Sequence, residues 1–225
     1  MQKPLLATNT PAPNGPAIGR LPCCCQSIEQ PCKLIAITGG PGAGKTAIMN
    51  IAQNLMCKHV AFVPESATII FSGGFWRSNS NVGLAAAQTA IYHVQRQLET
   101  LLIGEGQASY GLCDRGTVDG VAYWPYAPED YWQTMGTTHE QELLRYAAVV
   151  HLRSPKSENG YGHSNPQRVE SADRAAAIDE AIMQAWHSHP NRIIIEAEAS
   201  FTAKISRTMD AIFQYVSASC HTNTR

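Results

Sequence analysis

The sequence predicts an α/β fold, a three-layer sandwich in which helices cover both faces of a parallel five-stranded sheet. Three observations predict it. From residue 33 onward, short apolar runs alternate with longer segments of helical period, the pattern of parallel strands joined by crossover helices. The first apolar run passes directly into a glycine-rich loop followed by another helical pattern. The chain has 225 residues, 44% of them hydrophobic and 16% charged, which is enough apolar material for one core and excludes global disorder.

Residues 1–32 hold six of the thirteen prolines and four of the seven cysteines, with Lys3, Arg20 and Glu29 as their only charges. This composition predicts a flexible tail, with the folded domain spanning 33–225. Adjacent cysteines Cys23, Cys24 and Cys25 cannot easily pair with one another, and no second CxxC completes a zinc site, so reduced thiols are expected. The same run offers neighbouring positions for S-acylation and membrane tethering. No polybasic patch or amphipathic helix accompanies it, and unmodified thiols are the favoured reading.

Strands are expected at Lys33 to Thr38, Val60 to Pro64, Tyr110 to Cys113, Ala147 to Leu152 and Arg192 to Glu196. Helical patterns lie between and after them, at Gly44 to Cys57, Leu84 to Leu102, Val118 to Tyr146 with a break near Pro125 and Pro128, Ser171 to Trp186, and Phe201 to Val216. Each is long enough to cross over between parallel strands. Seventeen basic residues against eighteen acidic ones leave no electrostatic footprint for a general nucleic-acid binder. No apolar stretch approaches the ~18 residues that span a bilayer, and no secretory signal opens the chain, so a soluble, cytoplasmic protein is expected.

The run Leu34 to Thr38 leads into Gly39, Gly40, Pro41, Gly42, Ala43, Gly44, Lys45 and Thr46, a full match to GxxxxGK[ST]. Glycines let backbone amides converge on phosphate oxygens, and the helix that follows aims its positive end at them. Lys45 is expected to reach the β and γ phosphates of ATP or GTP, and Thr46 to ligate Mg²⁺. The third strand ends in Asp114, a second candidate for Mg²⁺, followed by Arg115, whose guanidinium suits phosphate. Glu65 follows the second strand and so lies at the same carboxyl edge, as a candidate base or anchor for an acceptor hydroxyl.

The segment from Arg153 to Glu170, rich in Gly, Ser, Asn and Pro, is expected to be a mobile flap. Arg168 and Arg174 bracket the following helix start and are candidates to close on the transferring phosphoryl group. Gln88, Tyr92, Gln95, Arg96 and Glu99 share one face of a helix, which would either line an acceptor pocket or face solvent. Phe71, Phe75, Trp76, Tyr123, Trp124, Tyr126, Tyr131 and Trp132 are assigned chiefly to core packing. The histidines lack metal spacing, so no transition metal is assigned. The loop from Glu196 to Ser200 is expected beside the nucleobase. Glu198 would favour guanine there, but the absence of an Asp placed as in dedicated GTPases favours ATP.

The ordered residues Gly39 to Thr46, Pro64 to Ala67, Asp114 to Gly116 with Asp119 and Ala122-Tyr123, and the Arg168 region resemble the NadR and trp-translocation-defect type of P-loop ATPase and kinase domain. This is a small AAA-type, nucleoside-kinase-like group. The resemblance covers roughly residues 33 to 218, and Asp114-Arg115-Gly116 is its more specific part. It implies a sheet of order 2-3-1-4-5, a nucleoside triphosphate on the loop, and an acceptor pocket roofed by the second and third helices. The insertion-like segment Phe71 to Asn81 and the cysteine-rich tail depart from the group. Known members include a ribosylnicotinamide kinase and trafficking proteins that bind GTP or phosphoinositides. The expected function is therefore Mg²⁺-dependent transfer of a γ-phosphoryl group to a small hydroxylated acceptor. The alternative is a nucleotide-binding switch or slow NTPase that engages a protein or lipid partner.

Overall fold

Strand β1 (Lys33–Thr38) reads Leu-Ile-Ala-Ile-Thr after its first residue, without polar alternation, because it lies mid-sheet and is buried on both faces. The computed structural model describes residues 31–155, 172–197 and 200–216. The other strands are β2 (Val60–Val63), β3 (Tyr110–Asp114), β4 (Tyr146–Leu152) and β5 (Arg192–Ile195). All pair in parallel in the order β2-β3-β1-β4-β5, as the resemblance implied. The order reverses at β1, whose neighbours β3 and β4 run off to opposite sides. Ile37 stands opposite Asp114 and Thr38 opposite His151. The strand ends that carry polar residues thus meet at one edge, where open α/β sheets place their ligands.

The helices are α1 (Lys45–Leu55), α2 (Ser66–Ser72), α3 (Asn81–Glu105), α4 (Pro128–Met135), α5 (His139–Leu143), α6 (Ala172–Ala185) and α7 (Phe201–Phe213), with a 3-10 turn at Thr117–Tyr123. The period-2 alternation of β1 divides the core. Ile35 and Ile37 pack with Ile48 and Ala52 of α1 and Met209 and Ile212 of α7. Leu34 and Ala36 face the other way, toward Val118, Ile182 and Trp186.

The helical pattern expected over Val118 to Tyr146 is not one helix with a break. It divides into the 3-10 turn, α4 and α5, and Tyr146 already belongs to β4. Pro128 cannot donate a backbone hydrogen bond and stands at the start of α4. Gly136, at φ 68°, ends that helix in the left-handed conformation. The segment Phe71 to Asn81 is not an inserted loop alone. It holds the end of α2, a short connection, and the start of α3, whose cap Ser80 accepts the Gly83 amide at 3.1 Å.

The polar face of α3 is not solvated: Gln88, Tyr92, Gln95 and Glu99 are buried. Glu99 accepts from Gln95 Nε2 at 2.8 Å and from the Tyr146 hydroxyl at 2.7 Å, and it pairs with Arg145. Glu142 accepts from the Tyr92 hydroxyl and Thr117 Oγ1, each at 2.8 Å, and from Thr137 Oγ1 at 2.9 Å. Two carboxylates are tolerated inside because each has several donors. Tyr131 is buried among Tyr92, Trp124 and Trp132 as expected for core, whereas Trp76 is 88% exposed.

Cys32, Cys57 and Cys113 are buried thiols outside any disulfide; Cys23, Cys24 and Cys25 lie outside the described residues. Among the described residues, no helix is long and apolar enough to cross a membrane.

Gly39 sits at φ 131°, and a Cβ there would fall 2.0 Å from the carbonyl oxygen of Leu152. Gly39→Ala is therefore expected to lower stability by about 2–4 kcal/mol through backbone strain and displacement of β4. Denaturant unfolding checks this, and a variant as stable as wild type would show that the loop root can shift freely.

Candidate functional site

The loop from Gly39 to Gly44 joins β1 to α1 at the switch point of the sheet. Gly39, Gly42 and Gly44 take φ values of 131°, 78° and 96°, a conformation costly for any residue with a Cβ. The first turn of α1 carries no acidic residue, so the positive end of this helix is not neutralised within its own turn. Thr46, its second residue, is exposed.

Lys45 folds back over the loop. Its Nζ donates to the carbonyls of Gly39 at 2.7 Å and Gly40 at 2.9 Å. Burial, aided by the Arg115 charge, lowers its pKa to about 7, against the pull of Asp114, Glu65 and Asp119. A neutral amine can still donate both bonds. Asp114, at the end of β3, shows the opposite shift. Burial raises its pKa to about 6, Lys45 pulls it back, and Glu65 adds to the rise. Its Oδ1 is buried and lacks a hydrogen-bond partner.

Arg115 follows at φ 75°, the positive-φ non-glycine residue among the described positions. Such strain persists where surrounding contacts impose it, and sites of function collect it. Here the Arg115 amide donates to Ile37 O at 3.1 Å and Nε to Glu65 Oε1 at 2.6 Å. Nη1 reaches the Gly39 carbonyl and Asp119 Oδ2, each at 3.4 Å. Burial would raise the Glu65 pKa, but Arg115 and the Thr68 hydroxyl at 2.5 Å outweigh it and hold the carboxylate below its usual range.

Four residues expected from sequence therefore meet in one coupled cluster: Lys45, Glu65, Asp114 and Arg115. Arg174 is exposed on the first turn of α6. Arg168 and Glu198 lie outside the described residues.

Several residues at the site escape a reading of the sequence by role. Asp119, quoted only within the resemblance, accepts Thr38 Oγ1 at 2.7 Å and Trp186 Nε1 at 2.6 Å, tying the root of the loop to the 3-10 turn and to the residue that follows α6. Lys204 of α7 donates to Ala43 O at 2.8 Å and Arg153 O at 2.6 Å. Gln95 Nε2 donates to the Arg115 carbonyl at 3.3 Å, and its Oε1 accepts Ser66 Oγ at 2.7 Å. Asp179 of α6 accepts the Gly40 amide at 2.8 Å. The DRG-x-x-D spacing was the available signal for Asp119. Lys204 and Asp179 sit in helical patterns, where a charge reads as solvent-facing.

A glycine loop between a central parallel strand and a helix, with this strand order, defines a P-loop nucleotide-binding fold of the kinase-like type. Residues 34–204 match the AAA domain family, and the chain belongs to that family. No curated protein sequence matches it. Among solved structures, thymidylate kinase from Candida albicans is similar, with a TM-score of 0.58 and 13% identity over 82% of this chain and 92% of that one. NadR, in complex with NAD and AMP-PNP, is similar with a TM-score of 0.56 and 14% identity, over 82% of this chain and 49% of that one. The chain spans about half the length of NadR. At these identities the likeness is one of fold.

The two opposed pKa shifts predict a pH signature. Asp114 holds its proton more tightly when folded, so its contribution to stability is complete below 3.8 and is lost as pH rises through about 6. Lys45 holds its proton less tightly when folded, so its contribution is complete above 10.5 and is lost as pH falls through about 7. The stability difference between wild type and Lys45→Met, read by thermal melts without nucleotide, should widen in favour of wild type as pH rises above about 7. A difference independent of pH would mean that Lys45 is fully charged in the free protein.

Proposed function

We propose that this chain is a magnesium-dependent phosphotransferase that moves the γ-phosphoryl group of a nucleoside triphosphate to a hydroxyl of a small acceptor. The observation that carries the proposal is the buried, partnerless Oδ1 of Asp114 beside Lys45 and Glu65. Buried carboxylate oxygens ordinarily find a donor, and an orphaned one at the carboxyl edge, next to a phosphate loop, suits a cation. Asp114 and the Thr46 hydroxyl are the residues that would hold Mg²⁺. The ion would supply positive charge that offsets the charge on the phosphate oxygens.

The loop amides and the start of α1 would bind the phosphates. Lys45 would keep the Gly39 carbonyl and turn its remaining donors from the Gly40 carbonyl to a phosphate oxygen, whose negative charge favours the ammonium form. Arg115, held by Glu65 and Asp119, would present its guanidinium to the transferring group. Glu65 is a weak base because Arg115 holds it ionised, and transfer through a loose transition state asks mainly for positioning. Its role would be to accept a hydrogen bond from the acceptor hydroxyl.

Arg168 and Arg174 would close over the same group, and ATP is the favoured donor, with Glu198 near the base. The name of thymidylate kinase and the AMP-PNP bound to NadR support a triphosphate donor and a small-molecule acceptor. Buried reduced thiols suit a cytoplasmic setting.

One observation favours the second reading, a nucleotide switch with slow hydrolysis and a protein or lipid partner. Glu65 already engages Arg115 and Thr68 and so is not free to activate a nucleophile. Nucleotide consumption over a panel of nucleosides, ribosylnicotinamide and inositol lipids separates the two. Acceptor-dependent consumption supports transfer, and consumption indifferent to every acceptor supports the switch.

In that assay Asp114→Asn should lose magnesium-dependent turnover while keeping its melting profile, because the amide is nearly isosteric but cannot neutralise the ion. Equal support of both proteins by Mg²⁺ would reduce Asp114 to a structural group. Lys45→Ala should lose triphosphate affinity or turnover by at least about tenfold, equivalent to about 1.4 kcal/mol, and wild-type behaviour would remove the phosphate contact from the account.

A further inference from the structure

Asp179 projects from the second turn of α6 beneath the phosphate loop and is 2% exposed. Its Oδ1 accepts the Gly40 amide at 2.8 Å and lies 3.1 Å from His151 Nε2. A carboxylate only accepts, so that nitrogen carries the proton. Oδ2 accepts the Ser154 amide and pairs with Arg153 Nε, each at 3.3 Å. The packing is close enough that a Cβ on Gly40 would lie 2.6 Å from the Asp179 Cβ.

The Gly40 amide belongs to the same peptide unit as the Gly39 carbonyl. In a trans peptide these two groups point in opposite directions. The Gly39 carbonyl is the one that receives Lys45 Nζ at 2.7 Å and Arg115 Nη1 at 3.4 Å. One peptide plane is thus gripped on its N–H side by Asp179 and on its C=O side by two basic side chains of the candidate site. Glycine on both sides makes this plane easy to turn unless something holds it. Ser154 adds a second tie, donating from Oγ to the Pro41 carbonyl at 3.0 Å.

We propose that Asp179 is a positioning residue for phosphate binding, fixing the Gly39–Gly40 peptide and through it the places of Lys45 and Arg115. The proposal rests on the reading of this loop as a triphosphate site. Removal of the carboxylate lets the plane turn, and Lys45 and Arg115 lose their shared acceptor. The loss then falls on the β and γ phosphates, which these side chains would meet, rather than on the α phosphate or the nucleoside.

The test displaces a fluorescent ATP analogue from the full chain with ATP and with AMP, in the presence of Mg²⁺. Asp179→Ala should weaken ATP about tenfold and AMP less than about threefold. Asp179→Asn keeps one acceptor but sets an NH₂ against a donor on the other side, so it should fall between wild type and Ala. Ile182→Ala, a core truncation on the same helix, should keep the wild-type ratio of ATP to AMP affinity even where its melting point drops as far.

Equal losses for ATP and AMP, no loss in either Asp179 variant, or the same change of ratio in Ile182→Ala would each overturn the proposal. Should Asp179→Ala fail to fold, the ratio in Asp179→Asn decides alone. A wild-type chain that binds no triphosphate removes the functional reading itself, an outcome distinct from variants that bind as wild type does.

Discussion

The approach of the Gly39 backbone to the Leu152 carbonyl is the constraint from which the rest of the site follows. Parallel pairing of β1 with β4 brings the two strand ends side by side, and the chain leaving β1 must turn at once to avoid β4. Only a residue without a Cβ can make that turn at φ 131°. Once it is made, the Gly39 carbonyl faces Lys45 and Arg115, and α1 begins with its positive end at the sheet edge. Backbone packing between two central strands thus sets where the charged side chains gather.

Those side chains form a balanced cluster rather than a set of independent ion pairs. Lys45 is buried and shifted toward its neutral form, and Asp114 is half-buried and shifted toward its protonated form, while Glu65 and Arg115 neutralise one another at 2.6 Å. Without ligand this limits the amount of unpaired charge held in a low-dielectric pocket. A triphosphate with its metal would bring charges of both signs and draw Lys45 and Asp114 back to their ionised forms. In the proposed function, burial of these two groups would tie affinity to the charge of the ligand.

The sheet was legible because its strands are short apolar runs bounded by turn residues, and the observed strand ends differ from the expected ones by about a residue. The phosphate loop was legible because its spacing encodes a backbone path. Asp114 and Glu65 could be placed by the rule that polar residues just past strand ends meet at one edge. The region after the 3-10 turn was not legible as a unit. Its amphipathic period continues across Pro128 and Gly136, and hydrophobic period alone does not register a missing amide or a left-handed cap. The buried face of α3 was ambiguous for a related reason. Gln95 and Glu99 look solvent-facing until Arg145 and Tyr146, far along the chain, supply their partners. Asp179 and Lys204 carried no local signal at all, since what they bind is a backbone group over a hundred residues away.

The fate of the γ-phosphoryl group separates transfer from hydrolysis. The most direct measurement incubates the full chain with Mg²⁺ and ATP labelled at the γ position, together with nucleosides, ribosylnicotinamide and inositol lipids, and follows the label. The account predicts its appearance on a hydroxyl of one acceptor, dependent on Mg²⁺ and on that acceptor. Label released only as inorganic phosphate at a rate indifferent to every acceptor, or retained entirely in ATP, would contradict it.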